Sequence, residues 1–525
     1  MKVRAKKLSF PLAVAAFVLA VVLSVPQAVY ADTVVSDEYA IRYYSGEASF
    51  SYYIDAEGTL YFAGSNGSGQ YGNGTKGGEF SMPREVLQNV SAVADGKSGF
   101  AIALREDGTL WSWGNNEYAQ LGQDTQYNND AETNCILTPT EMFYDSSDAV
   151  TAVAAGDAFT VVLNEAGEVY TCGRAGDGQT GIAGLELSRK TVVGRLTKID
   201  QSYFEGKKIV QIDAAENTGF ALSEDGTLYI WGANDYGILG NGSADENEIY
   251  ETPVRLVFSE KIKKVSAETM TVMILTESGD VYGWGNNAVR QLGVKDLIEL
   301  SVTQPTQIEA FYAADGTEVH ATITDILCGG RTNFVLDSDG NVYAFGAAGN
   351  GQAGINPSES TYLSHPCVSE SNVILPLRIE FYEPVSLEEE AEKETSEYDG
   401  KAPVNVGKKI DVSIASLEGS IGDRTFVKDS DGNFWSWGVN LYGMVCSGEA
   451  DTSSCAHPVR STLFRIKNYD TDYVEKNYML KPAIFMGCVV VIATALFIWA
   501  EIKKRKTMRM IRESGECARD GEKKR

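Results

Sequence analysis

Seven times along this chain of 525 residues the same pattern returns: a glycine, an aliphatic residue or phenylalanine two positions on, an aromatic directly after it, and a second glycine six residues after the first. The first glycines are Gly58, Gly108, Gly167, Gly226, Gly279, Gly340 and Gly432; the second are Gly64, Gly114, Gly173, Gly232, Gly285, Gly346 and Gly438. A repeat of roughly 50–60 residues means one supersecondary unit copied around a ring or along a rod. That constrains the architecture before any chemistry is considered.

Each copy reads as strand chemistry. Tyr61, Trp111, Tyr170, Tyr229, Tyr282, Tyr343 and Trp435 stand three residues before the second glycine, each preceded by Leu60, Leu110, Val169, Leu228, Val281, Val342 or Phe434. The first glycine often follows an acid (Glu57, Asp107, Asp225, Asp339, Asp431), and Asp-Gly between apolar runs predicts a two-residue hairpin turn with positive φ at both positions. Another apolar strand precedes each turn, as in 100–104, 159–163, 272–275 and 333–336. Beyond the second glycine come Asn two residues on (Asn66, Asn116, Asn234, Asn287, Asn440), Gln six on (Gln70, Gln120, Gln179, Gln291, Gln352) and Gly eight on (Gly72, Gly122, Gly181, Gly240, Gly293, Gly354), a loop that turns the chain back sharply.

This pattern resembles the repeat of the regulator of chromosome condensation family, and the resemblance implies an all-β, seven-bladed β-propeller over residues 32–468. The chain departs from the family pattern in places. Ser98-Gly99, Ala158-Phe159, Thr218-Gly219 and Thr332-Asn333 replace the His-Thr expected ahead of the second strand, Cys172 replaces tryptophan, Ala175 replaces asparagine, and Cys446 replaces the last glycine. The resemblance therefore carries the fold and not the guanine-nucleotide exchange of the founding member. Successive second glycines lie 50, 59, 59, 53, 61 and 92 residues apart. The excess in the last interval coincides with an acidic insertion at 383–400, either a tolerated loop or a functional arm.

The ends of the chain predict where it works. Lys2, Arg4, Lys6 and Lys7 precede an apolar run from Leu8 to Val25, and small residues follow, so 1–31 reads as a signal peptide cleaved after Ala31. Residues 469–482 form a stalk, and 483–500 are 18 residues without a charge, long enough for one C-terminal transmembrane helix. The Lys503-Lys504-Arg505-Lys506 cluster then makes 501–525 a basic cytoplasmic tail and puts the propeller outside the plasma membrane.

Charge narrows the partners. Four of the 45 basic residues lie in the signal and ten in the tail, which also holds five of the 72 acidic ones; the segment between carries 31 basic and 67 acidic residues, a net of −36. Nucleic acid and anionic membrane surfaces are disfavoured, since phosphate binding needs a basic stripe. The acidity suits solubility and self-repulsion, or attraction of cations or a basic partner. Of eight cysteines, Cys488 falls in the span and Cys517 in the tail. Cys446 and Cys455 are the best candidates for a disulfide, while Cys172 and Cys328 suit free buried thiols equally well.

Catalytic chemistry is sparse. His320, His365 and His457 mark no constellation, no Cys-x-x-Cys suggests a metal, and the acids of 337–341 and 429–433 fit hairpin turns better than a calcium loop. No cofactor is expected. The loop tyrosines Tyr71, Tyr118, Tyr236 and Tyr442 are the candidate ligand-binding residues, because a propeller gathers equivalent loops onto one face and tyrosine is a common interface anchor. The expectation is a membrane-anchored, non-catalytic module binding a protein or cell-envelope component. The alternatives are an inhibitor of an envelope or secreted enzyme, similar to the family's β-lactamase inhibitors, and a polysaccharide-acting envelope enzyme.

Overall fold

The computed structural model describes residues 41–45, 49–123, 134–358, 362, 364–382, 408–421, 423–439 and 454–460. The expected signal, acidic insertion, stalk, membrane span and tail lie outside these residues, as do Tyr442 and Cys446. Among the described residues no helix is long and apolar enough to cross a membrane.

Six of the seven repeats fold into an antiparallel sheet of consecutive strands. Repeats 1 to 5 (41–87, 90–141, 150–198, 209–255, 262–307) and repeat 7 (414–460) give four-stranded sheets, in the order in which the strands leave the chain. The first strands of successive repeats touch in a closed cycle, and the last repeat meets the first. The fold is thus an all-β propeller with six regular four-stranded blades.

Repeat 6 departs from the expected uniformity. Its four strands, Ile323–Gly329, Thr332–Asp337, Val342–Ala347 and Asn372–Arg378, belong to a seven-stranded sheet. Chain inserted before and inside the repeat supplies Phe311–Tyr312, which pairs parallel to Asn372–Arg378, together with Glu318–Val319 and Val368–Ser369. The outer strand that is an edge elsewhere is covered here. A two-residue ladder, Phe381 with Ile410 and Tyr382 with Lys409, pinches the base of the acidic insertion.

The second strand of a repeat is sandwiched between neighbouring sheets, which is why it reads as a continuous apolar run. Every residue of Phe159–Asn164, Thr218–Ser223, Thr271–Thr276 and Thr332–Asp337 is buried. The fourth strand lies on the outside and carries a proline in six of the seven repeats: Pro83, Pro139, Pro253, Pro305, Pro376 and Pro458. Proline cannot donate to another strand, so in each of these repeats but the sixth it blunts an outer edge against pairing with a second chain.

The two motif glycines have separate causes. At the first, the expected two-residue turn is wrong. Gly108 N donates to Arg105 O at 2.9 Å and Arg105 N to Thr109 O at 2.9 Å, with φ of 82° at Gly108 and no positive φ at Asp107. The hairpin is one residue longer, a turn closed by a glycine in the left-handed region, so only the glycine needs positive φ. The second glycine sits at a bulge between the third and fourth strands, with φ of 97–116°. A Cβ there would lie 2.1–2.5 Å from the backbone oxygen of Ser49, Gly99, Ala158, Asn217, Met270, Arg331 or Asp423, so the spacing enforces glycine in all seven copies.

Blades are joined by a repeated bond. The indole N–H of Trp113, Trp231, Trp284 and Trp437, all fully buried, donates to the carbonyl of Gln70, Gln179, Ile238 and Gln352 in the preceding repeat, at 2.7–3.0 Å. Where tryptophan is absent other donors take the same carbonyl: Thr160 Oγ1 and Cys172 Sγ reach Gln120 O, and Asn333 Nδ2 reaches Gln291 O at 2.7 Å. The closing junction uses buried Arg424, whose Nη2 donates to Phe50 O at 3.0 Å, beside the edge-on pair of Tyr53 and Phe426. Trp231→Phe keeps most of the apolar contact but leaves the Gln179 carbonyl buried without its indole donor. It should cost about 1–3 kcal/mol, measurable by chemical denaturation.

Candidate functional site

The loops between third and fourth strands share a face with the turns between first and second strands. Gln179 Nε2 meets Asn217 Oδ1 at 3.2 Å, and Asn350 Nδ2 meets Asp423 Oδ2 at 3.3 Å, each loop touching the turn of the next repeat. The polar motif residues of these loops are spent on the loops themselves. The side-chain oxygens of buried Asn66, Asn116, Asn234 and Asn287 accept the backbone N–H five residues on at 2.9–3.2 Å, while their NH2 groups donate to carbonyls where the loop returns. The side-chain oxygens of Gln70, Gln120, Gln179, Gln291 and Gln352 accept the amide of the residue two positions earlier.

Repeat 4 breaks this rule. Ile238 stands at the glutamine position, so no side-chain oxygen is there to take the amide of Tyr236. Tyr236 adopts φ 55° and ψ 22°, followed by Gly237 at φ 76°, whereas Ser68, Tyr118, Asp177, Val289 and Asn350 have no positive φ. A bulky residue in the left-handed region is uncommon and needs support from its surroundings. The Tyr236 carbonyl accepts Ser301 Oγ at 2.6 Å from repeat 5, and the residue is 37% exposed.

The expected binding tyrosines therefore sit in different surroundings. Tyr71 is half-buried, stacked on Phe62 with centroids 5.3 Å apart and edge-on to Phe80 at 4.8 Å, packed against the apolar cluster that repeats 1 and 2 share. Tyr118 is half-buried with the Arg174 guanidinium 5.8 Å from its ring centre, and Arg174 also pairs with Asp177 at 2.7 Å. Tyr236 faces solvent. Tyr442 lies outside the described residues, and so does any pairing of Cys446 with Cys455, although Cys455 itself stands on the outer strand of repeat 7.

The centre of this face is rich in carboxylates. Lys97 of repeat 2 reaches across to the Glu216 carboxylate of repeat 4 and to Thr269 Oγ1 of repeat 5 at 3.0 Å. Burial and the Glu216 charge push the Asp157 carboxyl up, against the pull of Lys97 and Arg174. Burial also raises Glu268, opposed by Lys97. Deeper in, burial pushes the Asp213 carboxyl up to about 7, although it accepts Ala214 N at 2.8 Å and Ala267 N at 2.9 Å. Cys172 and Cys328 are buried free thiols, the former pushed up to about 12 by burial.

Elsewhere the sequence candidates serve the fold. Asp337 accepts the amides of Asp339 and Asn341 and the Tyr343 hydroxyl, and Asp429 accepts those of Asp431 and Asn433 and the Trp435 indole. His365 is buried, with Nδ1 accepting Cys367 N at 3.2 Å; His320 is exposed; His457 lies 5.5 Å from the Tyr382 ring. Among the described residues, no group of three or more His, Cys, Asp or Glu side chains is placed to hold a metal ion. Ile298 and Leu300, which the sequence did not single out, are exposed on the repeat 5 loop whose Ser301 meets the Tyr236 carbonyl. For the altered backbone at Tyr236 the isoleucine in the glutamine slot was the available signal.

Two models of the regulator of chromosome condensation (RCC1) repeat match the chain, one at residues 107–163, 225–275 and 278–336, the other at 90–120, 150–179 and 209–238. The Arabidopsis thaliana ultraviolet-B receptor UVR8 is 27% identical over 293 residues, 55% of this chain and 61% of the receptor. The human E3 ubiquitin-protein ligase HERC2 is 24% identical over 319 residues, 59% of this chain but 6% of the ligase. Among solved structures, yeast RCC1 (Prp20) bound to Kap60 superposes with a TM-score of 0.56 at 20% identity over 82% of this chain and 86% of that one. Human WBSCR16 gives 0.54 at 21% identity over 73% and 85%. The chain thus spans less than two thirds of these curated relatives, and the structural likeness establishes the propeller fold.

Tyr71→Ala should cost about 2–4 kcal/mol in denaturation, since it empties part of a ring cluster, whereas Tyr236→Ala should stay within about 0.5 kcal/mol. A second expectation concerns pH. A carboxyl raised in the folded state binds its proton more readily there than in the unfolded chain. Its stabilising contribution is present at low pH and lost as pH rises through about 7 for Asp213. Melting temperature should therefore rise on going from about pH 8 to about pH 5.5, and Asp213→Asn should flatten that rise in calorimetry.

Proposed function

We propose that this chain is a single-pass surface protein whose extracellular propeller, with the enlarged sheet of repeat 6 counted as its seventh blade, binds another protein or a cell-envelope component without catalysing a reaction. The observation that carries this is the division of labour on the loop face. Motif asparagines and glutamines are consumed in holding the loops, so the variable loop tips are what a partner meets. A scaffold that fixes its loops through backbone bonds leaves their outward side chains free to differ, which is how one fold serves unrelated partners.

One protein of the same fold is in keeping with such a reading: yeast Prp20p is described by its binding to Gsp1p and histones. The anchoring rests on sequence: a basic cluster ahead of the N-terminal apolar run, 18 uncharged residues at 483–500, and a tetrabasic stop after them. The acidic outer segment favours a partner with positive surface.

Topology is tested on intact cells. Added protease should digest the propeller or cut near 469–481 while a tag after Arg525 stays protected; a tag accessible from outside would overturn the orientation. Function is tested by crosslinking the tagged full chain in its own cells and identifying what is recovered against an unrelated membrane protein with the same tag. A specific protein or envelope polymer is expected. Turnover of a polysaccharide by the purified full chain would replace the binding module with an enzyme.

A further inference from the structure

Scattered exposed apolar side chains are ordinary on any protein; a contiguous set on a rigid edge is not. Ile298 and Leu300 are 71% and 67% exposed on the loop of repeat 5, and Ser301 next to them donates to the Tyr236 carbonyl of repeat 4. Three exposed side chains, Tyr236 of one blade and Ile298 and Leu300 of the next, thus stand on two loops tied together by that bond. Their exposure is not slack in the loop. Asn287 N donates to Leu300 O at 2.8 Å and Asn287 Nδ2 to Glu299 O at 3.0 Å, so the backbone beneath them is pinned, which lowers the ordering cost of binding.

The second observation is the backbone of Tyr236. Repeat 4 alone of the six described loops has lost the glutamine and placed an aromatic residue in the left-handed region. The other five loops show that the same fold is reached without this conformation. Strain of that kind persists where it positions a side chain for use.

The third observation is charge. Residues 234–248 hold Asp235, Asp245, Glu246 and Glu248 and no lysine or arginine. Burial, followed by repulsion from Asp177, Glu246 and Glu216, pushes the Asp235 carboxyl up, so negative charge is already crowded here. On the neighbouring loop Arg290 spends its guanidinium on the Leu297 carbonyl, and Lys295 is offset by Asp296 and Glu299.

We propose that Tyr236, Ile298 and Leu300 form a docking site for a partner segment presenting an apolar side chain flanked by lysines or arginines. Apolar contact supplies the anchor, and the carboxylates of the repeat 4 loop select the flanking charge and steer the encounter. The site rests on the binding-module reading above and deepens it to one edge and one partner chemistry.

The test uses the full chain in detergent and three fluorescent peptides of equal length: lysines with two leucines among glycine and serine spacers, the same peptide with serine for leucine, and the same with glutamate for lysine. Fluorescence anisotropy, corrected for detergent alone, should show the lysine–leucine peptide binding best. The double variant I298S/L300S should weaken that peptide about tenfold and leave the lysine–serine peptide unchanged, while F143S, removing another exposed apolar side chain, should change neither. Tyr236→Gly relieves the left-handed strain, so it should hold or raise the melting temperature while still lowering affinity, a combination that a purely structural tyrosine would not give. Equal affinity of wild type and I298S/L300S for the lysine–leucine peptide would overturn the site, as would preference for the glutamate peptide. A partner crosslinked by the wild type and retained in full by I298S/L300S would also overturn it, leaving the binding module standing.

Discussion

One hydrogen bond holds the ring to its geometry: a donor from the third or second strand of one repeat into a loop carbonyl of the repeat before it. It recurs at Gln70, Gln120, Gln179, Ile238, Gln291 and Gln352, whatever residue provides the donor. The carbonyl is buried, so an absent donor would leave it unsatisfied at a cost of about 1–3 kcal/mol. Because the carbonyl belongs to the loop between third and fourth strands, that loop is set to the blade behind it and to the blade ahead. Tryptophan serves best by joining a large buried surface to a single N–H, but threonine, cysteine and asparagine show that the donor matters more than the ring.

Much of the fold was legible because steric demands repeat. The second glycine is forced by a backbone oxygen about 2 Å from where its Cβ would be, so it survives in every copy and betrays the period. Features that depended on length rather than residue type were not legible. Asp107 before Gly108 suits either a two-residue turn or a longer hairpin with one left-handed glycine, and only the hydrogen bonds decide. The extra strands of repeat 6 escaped for a related reason: Phe311–Tyr312 and Val368–Ser369 are two residues long, too short to show an alternation.

The surroundings of the loop tyrosines were not legible. Tyrosine at a loop tip says nothing about its neighbours, and here one ring stacks inside a blade, one lies by a guanidinium and one faces water. Tyr118 and Tyr236 stand at equal distance from their glycines, and the difference between them comes from the residue two positions further along: Gln120 holds the Tyr118 amide, while Ile238 offers nothing. Absence of a motif residue was more informative than the presence of an aromatic.

Every sheet is drawn from one unbroken stretch of chain, and among the described residues no strand is exchanged between the first and last repeats. Outside repeat 6 strand pairing is therefore local in sequence, and the non-local contacts are mainly those between neighbouring sheets, together with the closure through Arg424 and Phe426 and the Lys97 contacts across the centre. Low separation between pairing partners favours fast, stepwise folding. A chain emerging N-terminus first would then complete each blade on the one before it, reserving the long loop closure between repeats 7 and 1 for last. An incomplete ring would expose the flanks of its terminal sheets, so those two flanks are covered only once the final repeat is made.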